Sequence, residues 1–280
     1  MSDPVLLVIG RDSYLAREFI ARHAELPLRA IGHGDAGNPA HYEGAACAVN
    51  FAFAPALHDL PYDLALDVDA RAAGLAAALG LHYVMISSRR VYQEGIQWNA
   101  AEDMQASGLD QYGRNKLRVE GSLGALLGKR LTILRPGNVV GYEPVPGRRR
   151  FAAFLQNQLR ETGRIRLTVS PQTRRDLVPV EFFCRVLRAA VLRREPGIFN
   201  VGSGRATAIG DAARWLIEGY GPAELVAEDA RRADEFLLDS SKLARVFGLQ
   251  CADDGVAAAF REAGRRLAGA AATRPPSSRA

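Results

Sequence analysis

The sequence predicts an α/β protein: a doubly wound parallel sheet with a smaller C-terminal lobe. Two observations carry that reading. Short, continuous apolar runs alternate with longer segments of helical period, as buried parallel strands alternate with the helices that cover them. The first run, residues 5–10, also ends in glycine before a helical segment begins, the punctuation of a tight strand-to-helix turn.

Each element follows from its own pattern. Residues 5–10 are a buried strand. Tyr14, Leu15, Phe19 and Ile20 fall on one helical face, so 13–23 is a helix. Residues 28–31 and 45–53 are strands, 67–79 an alanine-rich helix, and 82–87 the next buried strand. A helix carrying Tyr112 runs to about Leu127, followed by a strand at 130–134. After Gly137 the rhythm changes. Helices are expected at 151–160, 180–193 and 212–217, and strands at 164–169 and 198–201. Residues 237–239 are extended, Ser240 caps a further helix, and 256–267 is the last one. Two parts are expected, one mainly over 1–140 and one mainly over 141–268. The second part is interleaved and returns to the sheet near 175–202, and 269–280 is a disordered tail.

Bulk composition narrows the classes. At 280 residues, 48% hydrophobic and 24% charged, the chain suits a globular protein with a sizeable core. No apolar run reaches the ~18–20 residues of a membrane span, so no membrane partner is expected. The N-terminal residues lack a basic leader, and three scattered cysteines form no disulfide framework, which makes the cytoplasm the expected setting. The net charge of +5 is spread thinly; only Arg148 to Arg150 form a run, with no aromatic residues between them. Nucleic acid is therefore not expected, whereas an anionic small molecule fits. The five histidines show no metal or triad spacing, so no metal is assigned.

The chemistry lies in Tyr112-Gly-Arg-Asn-Lys116. Only three lysines occur in the chain, and one stands a single helical turn after a tyrosine. A fixed ammonium beside a phenol favours the phenolate, so such a pair can exchange a proton with a carbonyl or hydroxyl oxygen. The ordinary alternative is a solvated helix face. Behind the first strand, Gly10-Arg-Asp-Ser13-Tyr-Leu-Ala16 has the spacing of a phosphate-binding turn, with Ser and Ala in two glycine positions. At the end of the second strand, Arg11 and His33 suit the extra phosphate of NADP(H), while Asp35 leaves NAD(H) open.

Several segments together resemble the extended short-chain dehydrogenase/reductase branch that acts on nucleotide-linked sugars. Met85-Ile-Ser-Ser-Arg-Arg-Val-Tyr92 is similar to its strand ending in Ser-Ser, followed by Val-Tyr. Tyr112 to Lys116 matches its Tyr-x-x-x-Lys motif. Leu134 to Asn138, Arg175 to Glu181 and Phe199 to Gly204 resemble further signatures, so the likeness runs from residue 5 to about residue 250. Ala230 to Leu243 resembles the C-terminal stretch of dTDP-4-dehydrorhamnose reductases. The chain departs at the thinned glycine loop, at Ser88-Arg89 where those reductases commonly have Thr-Asp, and at a usual Asn whose nearest counterparts are Asp67 and Asp69.

The resemblance implies a Rossmann-type fold, with 1–140 mainly dinucleotide-binding and 141–268 mainly substrate-binding. It also implies a Ser88, Tyr112 and Lys116 catalytic set: Ser88 to hold the sugar carbonyl, Tyr112 to give the proton, Lys116 to hold the nicotinamide ribose and lower the Tyr112 pKa. The cofactor-binding residues expected are Gly10, Arg11, Ser13, Tyr14, Leu15, His33, Ala52, Ser87, Tyr112, Lys116 and Pro136. Ser88, Arg89, Asn138, Arg175, Arg231 and Arg232 are expected to bind substrate, because guanidinium groups grip phosphate in two-pronged fashion. The activity implied is NAD(P)H-dependent reduction of a 4-keto nucleoside-diphosphate sugar, in a homodimer. Two alternatives stay open: an NAD-dependent epimerase, and a non-catalytic NAD(P)-sensing regulator that keeps the fold.

Overall fold

The computed structural model describes residues 5–93, 97–145, 150–227 and 231–272. In chain order, the first elements are β1 (Val5–Ile9), α1 (Tyr14–Arg22), β2 (Leu28–Ile31), β3 (Ala45–Asn50), α2 (Val68–Ala78), β4 (His82–Ile86), β5 (Trp98–Ala100), α3 (Gln111–Leu127) and β6 (Leu131–Pro136). Then come β7 (Asn138–Val140), α4 (Phe151–Thr162), β8 (Arg164–Leu167), β9 (Arg174–Pro179), α5 (Val180–Arg193), β10 (Gly197–Val201) and β11 (Ala206–Ala208). The last are α6 (Ile209–Tyr220), β12 (Glu224–Ala227), β13 (Leu237–Leu238), α7 (Ser241–Phe247) and α8 (Gly255–Ala272). Two compact units result. The first comprises Met1–Gly137, Glu181–Val201 and Leu238–Leu249; the second comprises Asn138–Val180, Gly202–Leu237 and Gln250–Ala280.

The first unit is built on a six-stranded parallel sheet in the order β10-β6-β4-β3-β1-β2. From β1 the chain steps outward to β2 and then returns to the other side of β1 as β3. The β1–β3 boundary is thus the point where strand order reverses, the place where open parallel sheets leave a crevice at their carboxyl ends. Leu7, Ile9, Tyr83, Met85 and Ile133 form the sheet side of the core beneath α2 and α3. The facing residues of α2 are Ala72, Ala73 and Ala76, small enough to let that helix lie close to the strands. Truncating a buried strand residue such as Ile9 to alanine would cost about 2–5 kcal/mol.

In the second unit, β9 lies between parallel β7 and antiparallel β11, and β8 pairs with β12. Leu155 and Leu159 of α4, Leu216 of α6 and Phe260 of α8 fill its core. No helix among the described residues is long and apolar enough to cross a membrane.

Several boundaries differ from the sequence expectation. The third strand stops at Asn50 rather than residue 53, because the Asn50 side chain accepts from Ala52 N (2.8 Å) and donates to Ala52 O (3.0 Å), turning the chain. Strand β9 goes unpredicted because it opens with Arg174, Arg175 and Asp176. Helix α8 continues to Ala272, past residue 269 where the disordered tail is expected to begin; residues 273–280 lie outside the described residues.

Candidate active site

β4 is buried along its whole length and delivers Ser87 and Ser88 at its carboxyl end. Successive side chains on extended backbone point to opposite sides. Ser87 turns inward, where its hydroxyl donates to Glu120 Oε1 at 2.5 Å. Ser88 is half-buried and caps the short turn Arg89–Val91, its Oγ accepting from Arg90 N at 3.2 Å. A hydroxyl that accepts one bond still has a proton to donate.

The start of α3 is fastened to this turn. Asp110 caps the helix by accepting from Gly113 N at 2.9 Å and forms an ion pair with Arg90. The Asp110 carboxyl is held below its usual range: partial burial pushes it up, but the Arg90 guanidinium and the Gly113 N–H outweigh that. Gly108 N and Leu109 N donate to the carbonyls of Val91 and Arg90 at 2.8 and 2.7 Å. A Cβ on Gly113 would lie 1.8 Å from Arg90 O, so only glycine permits this approach. The helix turn that carries Tyr112 is therefore pressed onto the turn capped by Ser88.

One turn further along α3, Lys116 is buried at 4% exposure. Its Nζ donates to Ile86 O at 2.9 Å and lies 3.9 Å from Asp69 Oδ2. Asp69 is itself buried, and accepts from Tyr83 Oη at 2.9 Å. Burial raises its pKa, against the pull of Lys116. The Tyr112 ring stacks on His58 with centroids 4.7 Å apart and planes at 4°. Phe53 meets Tyr112 edge-on at 5.2 Å, and its face receives Lys116 Nζ at 4.3 Å. Tyr112 and Lys116 thus leave one face of α3 and touch the same phenylalanine. His58 has its pKa lowered, first by burial of its ring and then by the Lys116 charge.

At the reversal point, Gly10 has φ +81 and a Cβ there would lie 2.9 Å from Ala52 N. The glycine lets the turns after β1 and β3 meet, and Ala52 forms the other wall. Gly10 N and Arg11 N both donate to Ile31 O at 3.0 Å, which sets Arg11 at the tip of β2. His33 follows that tip, and both side chains are exposed. Asp35 turns its carboxylate back toward Gly32. Ser13 caps α1, accepting from Ala16 N at 3.2 Å, and Leu15 is half-buried.

Four of the residues expected to bind ligand have buried side chains. Tyr14 is 3% exposed on the inner face of α1 with Ala16 and Phe19. Ser87 is committed to Glu120, and Pro136 is buried as the last residue of β6. Arg89 is 3% exposed and bonded to Gln97.

The remaining expected substrate residues belong to the second unit. Asn138 opens β7, half-buried and opposite Leu177 of β9. Arg175 donates to Asp234 O at 3.2 Å, pairs with the Asp234 carboxylate at 3.5 Å and covers Phe151. Arg231 and Arg232 are exposed, on the segment that reaches β9 through Phe236. The fold brings these three arginines to neighbouring stretches of chain.

Sequence reasoning misses the polar framework below Ser88. Arg135 holds Glu120 through Nε (3.0 Å) and Nη2 (2.6 Å), and its Nη1 donates to Tyr92 Oη at 3.0 Å. Tyr92 Oη donates to Asn200 Oδ1 at 2.8 Å. A glutamate two turns after Tyr112 on the same helix face was the available signal for this network. Phe53 and His58 are also missed, because an irregular turn brings them to α3.

No family model matches the chain, and a search of curated proteins finds no match. Solved structures do match over nearly the whole chain. RMD from Pseudomonas aeruginosa, solved with NADPH, is 18% identical with a TM-score of 0.77, covering 95% of this chain and 99% of its own. MoeE5 in complex with UDP-glucuronic acid and NAD is 20% identical (TM-score 0.76), covering 93% and 99%. The UDP-N-acetylglucosamine 4-epimerase of Methanobrevibacter ruminantium, solved with UDP-N-acetylmuramic acid, is 14% identical (TM-score 0.80), covering 96% and 100%. The chain shares the Rossmann-type α/β fold of these solved structures.

Proposed function

We propose that this chain is an NADP(H)-dependent reductase of a 4-keto nucleoside-diphosphate sugar. The observation that carries the reading is the fastening of the Tyr112–Lys116 helix turn onto the turn capped by Ser88. The Ser88 hydroxyl donates to the sugar carbonyl oxygen and orients it. Tyr112 then gives that oxygen its proton, while the buried Lys116 ammonium offsets the charge left on the phenol. Proton delivery of this kind contributes typically 100- to 10,000-fold to rate.

The residues at the β1–β3 reversal fit a dinucleotide. Gly10 lets the turns after β1 and β3 close on one another, and the Ser13-capped start of α1 favours an anion. When bound, the nicotinamide supplies the hydride. Arg11 and His33 support NADP(H). Asp35, turned toward the same strand tip, is the feature that favours NAD(H) and the epimerase alternative. Arg175, Arg231 and Arg232 are proposed to bind the substrate diphosphate.

The test combines binding with turnover. NADPH is expected to raise the melting temperature more than NADH does, as binding to the native state must. Tyr112→Phe should keep that rise and lose about 100-fold or more in turnover. A chain whose melting temperature responds to neither dinucleotide is not this enzyme.

A further inference from the structure

The irregular segment after β3 carries an aromatic pair that the reaction above does not use. Phe53 stands as a wall: Tyr112 meets it at 5.2 Å and 90°, and His58 at 5.3 Å and 89°. His58 and Tyr112 lie flat on one another against that wall, 4.7 Å apart and 4° from parallel. A side chain of α3 fixes the arrangement by bonding the main chain of this segment. Asn115 Nδ2 donates to Leu57 O at 2.8 Å and to Leu60 O at 2.9 Å, gripping the chain on both sides of His58. Asn115 Oδ1 is in turn held by Gln111 Nε2 at 2.9 Å, and Leu57 is 1% exposed. One helix therefore presents Tyr112, Asn115 and Lys116 to one short turn.

We infer that His58 is a positioning residue for the proton donor, its ring fixing the tilt of the Tyr112 phenol while Asn115 and Phe53 hold it in place. The inference rests on the reading of Tyr112 as that donor. Tyr112 lies in the first turn of a helix and is half-buried, a setting in which a side chain otherwise samples rotamers in picoseconds to nanoseconds. A misplacement of about 1 Å in a reacting group can cost about 100-fold in rate. A flat ring on one face and an edge-on ring beside it remove most of that freedom. The lowered pKa of His58 keeps the imidazole neutral at neutral pH, so the stack brings no second cation beside Lys116.

The experiment uses the full chain with NADPH and dTDP-4-keto-6-deoxyglucose as the probe substrate. His58→Ala is expected to lower kcat about 10-fold, with KM and NADPH affinity within about 2-fold, a loss of aim rather than of binding. His58→Phe, which keeps a flat ring, should recover kcat to within about 3-fold of the parent. Asn115→Ala should lower kcat similarly, and the double variant His58→Ala/Asn115→Ala should be no worse than the poorer single one, since both act through the same turn. In proton NMR, the His58 ring signals should carry a ring-current shift that disappears in Tyr112→Leu. Unchanged kcat in His58→Ala, beside a large loss in Tyr112→Phe, overturns the inference and leaves the proposed reaction standing. Absence of the ring-current shift in the parent chain overturns it as well. Full turnover in Tyr112→Phe, or none in the parent chain, removes the proposed reaction and this inference with it.

Discussion

The two edges of the six-stranded sheet both carry buried polar side chains, and use them differently. At the amino edge, Thr132 Oγ1 donates to Glu195 O at 2.6 Å and lies 2.7 Å from His82 Nε2. The threonine has a single proton, so His82 must be the donor to it, and the chain of bonds closes on itself. At the carboxyl edge, a closed network of Glu120, Arg135, Tyr92 and Asn200 lies underneath, and half-buried Ser88 and Tyr112 stand above it. The contrast shows how a fold reserves a place for chemistry. The framework is satisfied internally, and the groups able to act on another molecule are set on top of it.

The largest expected effect tests that framework. Glu120→Ala leaves Arg135 buried without its carboxylate, and breaking a buried pair from one side costs about 3–5 kcal/mol. Replacing both partners, Glu120→Leu with Arg135→Met, should restore most of that loss. Urea unfolding midpoints measure both; a small loss in the single variant would mean that the pair carries little of the carboxyl edge.

The next effect concerns the groups above the framework. Gly113→Ala places a methyl against Arg90 O and must push the first turn of α3 away from Ser88. Turnover is expected to fall about 100-fold, with stability lower by about 1–3 kcal/mol. Gly121→Ala on the same helix meets open space; it should leave turnover unchanged and gain about 0.5–1 kcal/mol. Comparing the two variants in one turnover assay separates a positional requirement from helix propensity, and equal behaviour would remove the fastened turn from the argument.

The same contrast decides which elements are legible in the sequence. β1 and β4 are buried strands that appear in the sequence as the apolar runs Val5–Ile9 and Tyr83–Ile86, whereas β6 interrupts its run with Thr132 and Arg135. The spacing of Tyr112 and Lys116 puts them on one face of α3, as a helical turn requires. Strand β9 is hidden because Asp176 is accommodated inside by Ser203, a residue 27 positions away, whose N and Oγ both bond its Oδ1 at 2.7 Å. Tyr14, Ser87 and Arg89 fall at positions where a ligand contact and a core contact differ only in which way the side chain turns. Neighbouring serines show the difficulty: Ser87 faces Glu120 and Ser88 does not, and composition cannot tell them apart. His58 reaches Tyr112 across 54 residues of chain through a turn with no periodic pattern.

The smallest effect sharpens the contrast from the amino edge. Burial, followed by the charge of Arg194, lowers the His82 pKa from 6.5 to about 4. The unfolded chain therefore binds this proton first as pH falls, and stability drops wherever the unfolded state holds more protons. The contribution is fully present above pH 6.5 and is lost progressively down to about pH 4. With allowance for solvent screening it amounts to about 2 kcal/mol. His82→Gln keeps a side-chain donor for Thr132 and cannot titrate. Unfolding free energies at pH 7 and pH 4.5 should thus show the parent losing about 2 kcal/mol more than the variant over that interval. Equal losses would mean that His82 is already protonated or open to water, and that the amino edge is less closed than its hydrogen bonds indicate.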